Sequence, residues 1–120
     1  VVSIDEAWEQ ALLVDTPRGL VVVVGCAHPG IVPMLEQVKK ATGKPIHMVL
    51  GGFHLLDTPL AEARAIAAAV KSLGVAFAGP THCTGDDGIV AFHEVYGDAF
   101  VHGGVGQVIE VAAATPPRPR

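Results

Sequence analysis

The sequence predicts an α/β fold in which strands alternate with helices, and two observations carry that reading. Leu20 to Ile31 reads Leu-Val-Val-Val-Val-Gly-Cys-Ala-His-Pro-Gly-Ile. A β-branched run bounded by glycines is the pattern of a strand buried on both faces. The same passage from strand to turn to histidine recurs twice. Ile46-His47-Met48-Val49-Leu50 meets Gly51-Gly52-Phe53-His54, and Val75-Ala76-Phe77-Ala78-Gly79-Pro80 meets Thr81-His82-Cys83-Thr84-Gly85. Three strands thus each deliver a histidine just past their ends, where open α/β sheets place their sites.

Each element follows from its local pattern. Ser3 to Trp8 is polar and reads as a loop, and Gln10 to Val14 reads as a strand. Asp15-Thr16-Pro17-Arg18-Gly19 is a turn by composition and makes a hairpin into the valine strand, Val21 to Val24. From Gly30 to Thr42 the apolar residues Ile31, Met34, Leu35 and Val38 follow helical spacing. Pro33 is tolerated in the first turn, and Gly43 stops the helix beyond Lys39 and Lys40, which complement its C-terminus. Ile46 to Leu50 is the next strand, and Thr58-Pro59 supplies an N-cap and first-turn proline for an alanine-rich helix ending near Leu73 and Gly74. Val75 to Ala78 is the third buried strand, and Ile89, Val90, Phe92, Val95 and Tyr96 are again helically spaced. Ala99 to Val101 and Val108 to Val111 read as short closing strands, and the alternation implies a mainly parallel sheet. Residues 1–112 form one domain, and 113–120, with prolines and arginines, read as a disordered tail.

Composition excludes several classes. A net charge of -4 with only 8 basic residues in 120 gives no footprint for nucleic acid or an anionic membrane. No apolar run approaches the ~20 residues of a membrane span, and Val1-Val2-Ser3 opens no signal peptide. Two cysteines, each beside a histidine motif, suit a reducing compartment, with thiols free or on metal, and hence the cytoplasm. Half the residues are hydrophobic and 17% are charged, against about 25% in soluble domains. That balance fits a surface meant to be covered.

His28, His54 and His82 are the candidate metal ligands, since strand ends one strand-helix unit apart can bring imidazoles into one cleft. A lone histidine in a loop is more often simply hydrogen-bonded, and the repetition is what raises these three above that. His47 in a strand, His93 on a helix and His102 in a Gly-rich loop lack the repetition and fit structural or surface roles. Cys26 and Cys83 fit buried small hydrophobes, thiolate ligands, or a Cys83 nucleophile with His28 as base. The glycine turns match no phosphate-binding fingerprint, and Asp57, Asp86 and Asp87 read as helix caps ahead of groups that hydrogen-bond to the ligating histidines.

Glu9-Gln10-Ala11-Leu12, Gly19-Leu20-Val21-Val22, Gly25-Cys26-Ala27-His28-Pro29-Gly30-Ile31, Gly51-Gly52-Phe53-His54-Leu55 and His82-Cys83-Thr84-Gly85 together resemble the C-terminal half of metallo-β-lactamase-fold metallohydrolases. The nearest branch is the one resembling dihydropterin ribofuranosylaminobenzene phosphate synthase. The resemblance implies part of an αβ/βα sandwich, with one or two zinc ions activating water against an ester or phosphoester bond of a small-molecule substrate. It implies metal-ligand roles for His28 and His82, and it sets His54 where relatives often carry a bridging aspartate. The family's His-x-His-x-Asp-His motif is absent, and no His-x-His pair occurs in the sequence. With the valine start and the apolar composition, this leads to the expectation of a C-terminal portion that is inactive alone, pairs with an N-terminal half, and self-associates through an uncovered face. The alternative is a small non-catalytic α/β module binding zinc or a phosphorylated ligand.

Overall fold

The computed structural model describes residues 2–4 and 9–111. Five strands form one sheet in chain order: β1 (Val2–Ile4), β2 (Glu9–Thr16), β3 (Gly19–Val24), β4 (Ile46–Gly52) and β5 (Phe77–Thr81). Three helices complete it: α1 (Ile31–Thr42), α2 (Leu60–Ser72) and α3 (Gly85–Tyr96), with 3₁₀ turns at His82–Thr84 and Gly97–Ala99. None of these helices is long and apolar enough to cross a membrane.

The valine strand is central, as its pattern predicts. β2 and β3 form the expected hairpin, with a link of only two residues, since Thr16 already pairs with Gly19 and Ala11 with Val24. The sheet is mixed rather than mainly parallel: β1, β2 and β3 pair antiparallel, while β3, β4 and β5 pair parallel. A two-residue link must reverse the chain, whereas α1 and α2 carry it back for parallel pairing. Ser3 and Ile4, expected in a loop, belong to β1, and residues 5–8 lie outside the described set.

One face of the sheet is packed by all three helices. Ala11, Leu20, Val22, Val24, Ile46, Val49 and Ala78 from the strands meet Ile31, Met34, Leu35 and Val38 of α1, Ala67 and Val70 of α2, and Phe92 and Tyr96 of α3 in one core. Gly43 caps α1 in the left-handed conformation at φ 64°, its N–H donating to Lys39 O. The Lys39 ammonium reaches across to the Leu73 carbonyl at 2.6 Å, tying α1 to the end of α2. α2 departs from expectation at its start, since Pro59 occupies the N-cap and no side chain, Thr58 included, caps it. Arg64 joins α2 to α3 through two hydrogen bonds to Glu94, at 2.6 and 3.0 Å.

The closing strands do not form. Residues 97–99 make a 3₁₀ turn, only Phe100 bridges to Ala78 on β5, and residues 108–111 have no strand partner. β5 begins at Phe77 instead of Val75, because its parallel register starts at Met48 opposite Phe77 and runs to Gly52 opposite Thr81. The expected tail, 113–120, lies outside the described residues.

Candidate metal centre

The carboxyl ends of β3, β4 and β5 converge because hydrogen bonds tie their loops together. Gly52 N–H donates to Gly25 O at 2.9 Å, and Leu55 N–H donates to Cys83 O at 3.1 Å. Thr84, fully buried, accepts from Phe53 N–H at 3.1 Å and donates its hydroxyl to Thr81 O at 2.7 Å. Two glycines make the close approach possible. A Cβ at Gly51, whose φ is +126°, would lie 2.0 Å from Val24 O, and one at Gly52 would lie 2.6 Å from Gly25 O and 2.7 Å from Cys83 Sγ.

Backbone strain gathers at the same place. Among the described residues, the non-glycine residues with positive φ are Ala27 (54°), His54 (53°) and His82 (52°). Each costs on the order of 1–3 kcal/mol, a cost that surrounding structure must hold in place and that clusters at functional sites.

The structure places the three expected histidines in two neighbouring groups. His28 and His54 lie edge to face with ring centroids 4.7 Å apart, beside a shallow cleft of about 220 Å³ lined also by Ala27, Pro29 and Phe53. His28 Nδ1 is 2.8 Å from Glu9 Oε2. A carboxylate only accepts, so Nδ1 carries a proton, and in the neutral ring Nε2 is then the nitrogen with the free lone pair. That bond, ahead of smaller contributions from the Cys26 and Ala27 backbone, holds the Glu9 carboxyl below its ordinary value. His82 instead joins the cysteines. Its Nε2 lies 3.1 Å from Cys26 Sγ, and the Cys83 thiol donates to Cys26 O at 3.4 Å. One donor atom from each of Cys26, His82 and Cys83 lies within 4.8 Å of the others. His82 also borders a larger open cleft of about 670 Å³ with Val23, Leu50, Gly79, Val105 and Ile109.

Several alternatives resolve. The Cys83 and His28 dyad does not form, because His28 is engaged by Glu9 and Cys83 by the Cys26 carbonyl. Burial, then the neighbouring Cys83, pushes the Cys26 thiol above its ordinary value, the opposite of what activates a nucleophile. His47 packs on Phe77 at 5.0 Å, and His93 and His102 flank Phe100. Asp86 and Asp87 occupy the first turn of α3, favourable for its dipole, without capping it.

Glu9 escaped the sequence reading, although the hairpin held a signal. Ala11 pairs with Val24, and two further steps set Glu9 against Cys26, beside the histidine turn. The cysteines were visible in sequence as Cys26-Ala27-His28 and His82-Cys83; only folding shows that both thiols face His82.

A crystal structure of Tm1679, a metal-dependent hydrolase of the β-lactamase superfamily, superposes with a TM-score of 0.79 at 36% identity, covering 85% of this chain and 40% of that one. This chain has part of the metallo-β-lactamase fold. Its single sheet carries its helices on one face. A 7,8-dihydropterin-6-methyl-4-(β-D-ribofuranosyl)-aminobenzene-5'-phosphate synthase of Methanocaldococcus jannaschii is 36% identical over 103 residues, which is 85% of this chain and 35% of that protein. An uncharacterised protein of the same organism is 33% identical over 91 residues, 76% of this chain and 34% of its own length. The chain therefore spans about a third of the length of these curated relatives. No protein-family model matches it.

A metal fits the residues present in this metallo-β-lactamase-fold site. Imidazole nitrogens and thiol sulfurs are the donors that zinc and its transition-metal neighbours take, and here they gather at strand ends under backbone strain.

Proposed function

We propose that this chain is part of a zinc-dependent hydrolase and that His28, His54 and His82 hold one or two zinc ions. The observation that carries the reading is the Glu9 to His28 hydrogen bond at 2.8 Å, made where three strand ends present imidazoles. A metal-binding histidine usually gives its other ring N–H to a carboxylate, which fixes tautomer and orientation. When bound, zinc supplies Lewis-acid activation of water and of a substrate oxygen. Glu9 keeps the proton on Nδ1 of His28 and its Nε2 available as a donor. The 4.7 Å spacing of the His28 and His54 rings sets the second imidazole beside the first, and the buried Phe53 and Leu55 line that cleft with apolar surface. The Gly52 N–H bond to Gly25 O ties the β3 and β4 turns to one another.

The substrate class is a small-molecule ester or phosphoester. The Methanocaldococcus jannaschii relative is named for a product carrying a 5'-phosphate, which favours phosphoesters. Free thiols at Cys26 and Cys83 fit the reducing cytoplasm. The rest of the site and the cover for the sheet's second face come from further chain belonging to the same domain. The 35% and 40% coverage of the relatives supports this reading.

Zinc content after dialysis tests the reading, measured on the wild type and on His28→Ala and His82→Ala. At least one equivalent of zinc in the wild type and a lower content in each variant is expected, with chelator-sensitive hydrolysis of bis(p-nitrophenyl) phosphate in the complete domain. A wild type that retains no zinc overturns it.

A further inference from the structure

We infer that Cys26, His82 and Cys83 form a site of their own for a thiophilic divalent ion, with two thiolates and one imidazole as its protein donors. The inference rests on the proposed reading for His82 and adds to it: the ion at His82 is held by sulfur as well as nitrogen, while His28 and His54 form a separate imidazole pair in the adjoining cleft.

Three features of the fold support this. The donors come from two loops, β3 to α1 and β5 to α3, yet Nε2 of His82 stands 3.1 Å from Cys26 Sγ and one donor atom of each residue lies within 4.8 Å of the others. Gly52, the residue beneath them, has no side chain, and a Cβ there would lie 2.7 Å from Cys83 Sγ and 3.1 Å from His82 Cδ2. The space that lets Cys83 and His82 approach Cys26 is therefore kept by a glycine on a third strand. His82 itself adopts φ 52°, a conformation that costs free energy and delivers its ring to the cysteines.

Soft thiolates select zinc, cadmium and cobalt(II) over magnesium or calcium. Three protein donors leave a coordination position open, the pattern of catalytic rather than purely structural zinc sites. Binding requires each thiol to lose its proton to solvent as its Sγ takes up the metal. The weak contacts now made, Cys83 thiol to Cys26 O and Cys26 Sγ to His82 Nε2, are exchanged for bonds to the ion.

Cobalt(II) titration of the metal-stripped protein in reductant-containing buffer separates the possibilities, because thiolate ligation gives near-ultraviolet charge-transfer bands that imidazole ligation does not. The expected result is strong bands in the wild type, weakened in Cys26→Ser and in Cys83→Ser, absent from the double variant, and retained in His28→Ala. Circular dichroism of each variant checks that it folds. Cobalt bound without charge-transfer bands overturns the thiolate site and leaves the imidazole reading standing. Bands that persist in the double variant also overturn it. Loss of the bands in His28→Ala, with that variant folded, overturns the separation into two groups. No cobalt uptake by the wild type overturns both readings.

Discussion

Glu9 is the residue on which the orientation of His28 depends. Its carboxyl is held below the ordinary 4.5, chiefly by the hydrogen bond from His28. A depressed carboxylate pKa adds stability that is present above the unfolded value and is lost as pH falls through the folded one. Glu9→Gln is therefore expected to lower the urea midpoint at neutral pH, with the gap from wild type closing below about pH 4.5. It is also expected to weaken zinc binding by about 10- to 100-fold, as loss of an outer hydrogen-bond partner does, measured by competition with a chromogenic chelator. Equal affinities would show that the bond does not orient a ligand. Thr84 carries a different load, since its buried hydroxyl pairs both Phe53 N–H and Thr81 O. Thr84→Val keeps the shape and orphans both groups, at a cost of ~1–3 kcal/mol in chemical denaturation. The sequence displayed the histidines through their repetition after strands. Glu9 was marked only by the hairpin register that sets it opposite Cys26, and Thr84 carried no mark at all, since its role exists only once distant segments meet.

Helix α1 and the β2 to β3 hairpin were legible at the level of elements, because each is specified locally. Ile31, Met34, Leu35 and Val38 are all buried, as helical spacing requires, and Pro17-Arg18 closes the hairpin. The third parallel strand was displaced because parallel pairing is set by a neighbour 25 or more residues away, with no local mark of register. Its Pro80 lacks an N–H for the ladder and is accommodated on the sheet's edge, where Ala78 makes an isolated bridge to Phe100. Glycine at the β4 end is the element-level requirement for the site. Gly52→Ala would force Gly25 and Cys83 apart, from a Cβ position only 2.6 and 2.7 Å from their atoms. The expected cost is about 1–3 kcal/mol of stability, together with loss of zinc retention; a variant that keeps both would show that the loops yield freely.

At the scale of the whole molecule, the sheet has one face packed by helices and a second apolar face only partly covered, with Val21 and Met48 buried and Leu12 and Val14 exposed. Across β2, β3 and β4, Leu12, Val23 and Leu50 form one cross-strand row and Val14, Val21 and Met48 a second, and none of the six belongs to the helix-packed core. Composition signalled such a surface, with 50% hydrophobic and 17% charged residues, but not its location. Val21 to Val24 is apolar at every position, so its alternation says nothing about which face meets helices. Leu12 and Val14 are 52% and 45% exposed, and large apolar patches of this kind mark surfaces that associate. In the proposed complete domain the cover is further chain; for the 120-residue chain on its own, the available cover is a second copy. Leu12→Lys with Val14→Lys is expected to convert concentration-dependent association into a monomer by sedimentation velocity. The urea midpoint should shift little, since exposed substitutions stay within about 0.5 kcal/mol. A double variant that associates as strongly as wild type, or a wild type monomeric at every concentration, would show that this face is not what the molecule needs covered.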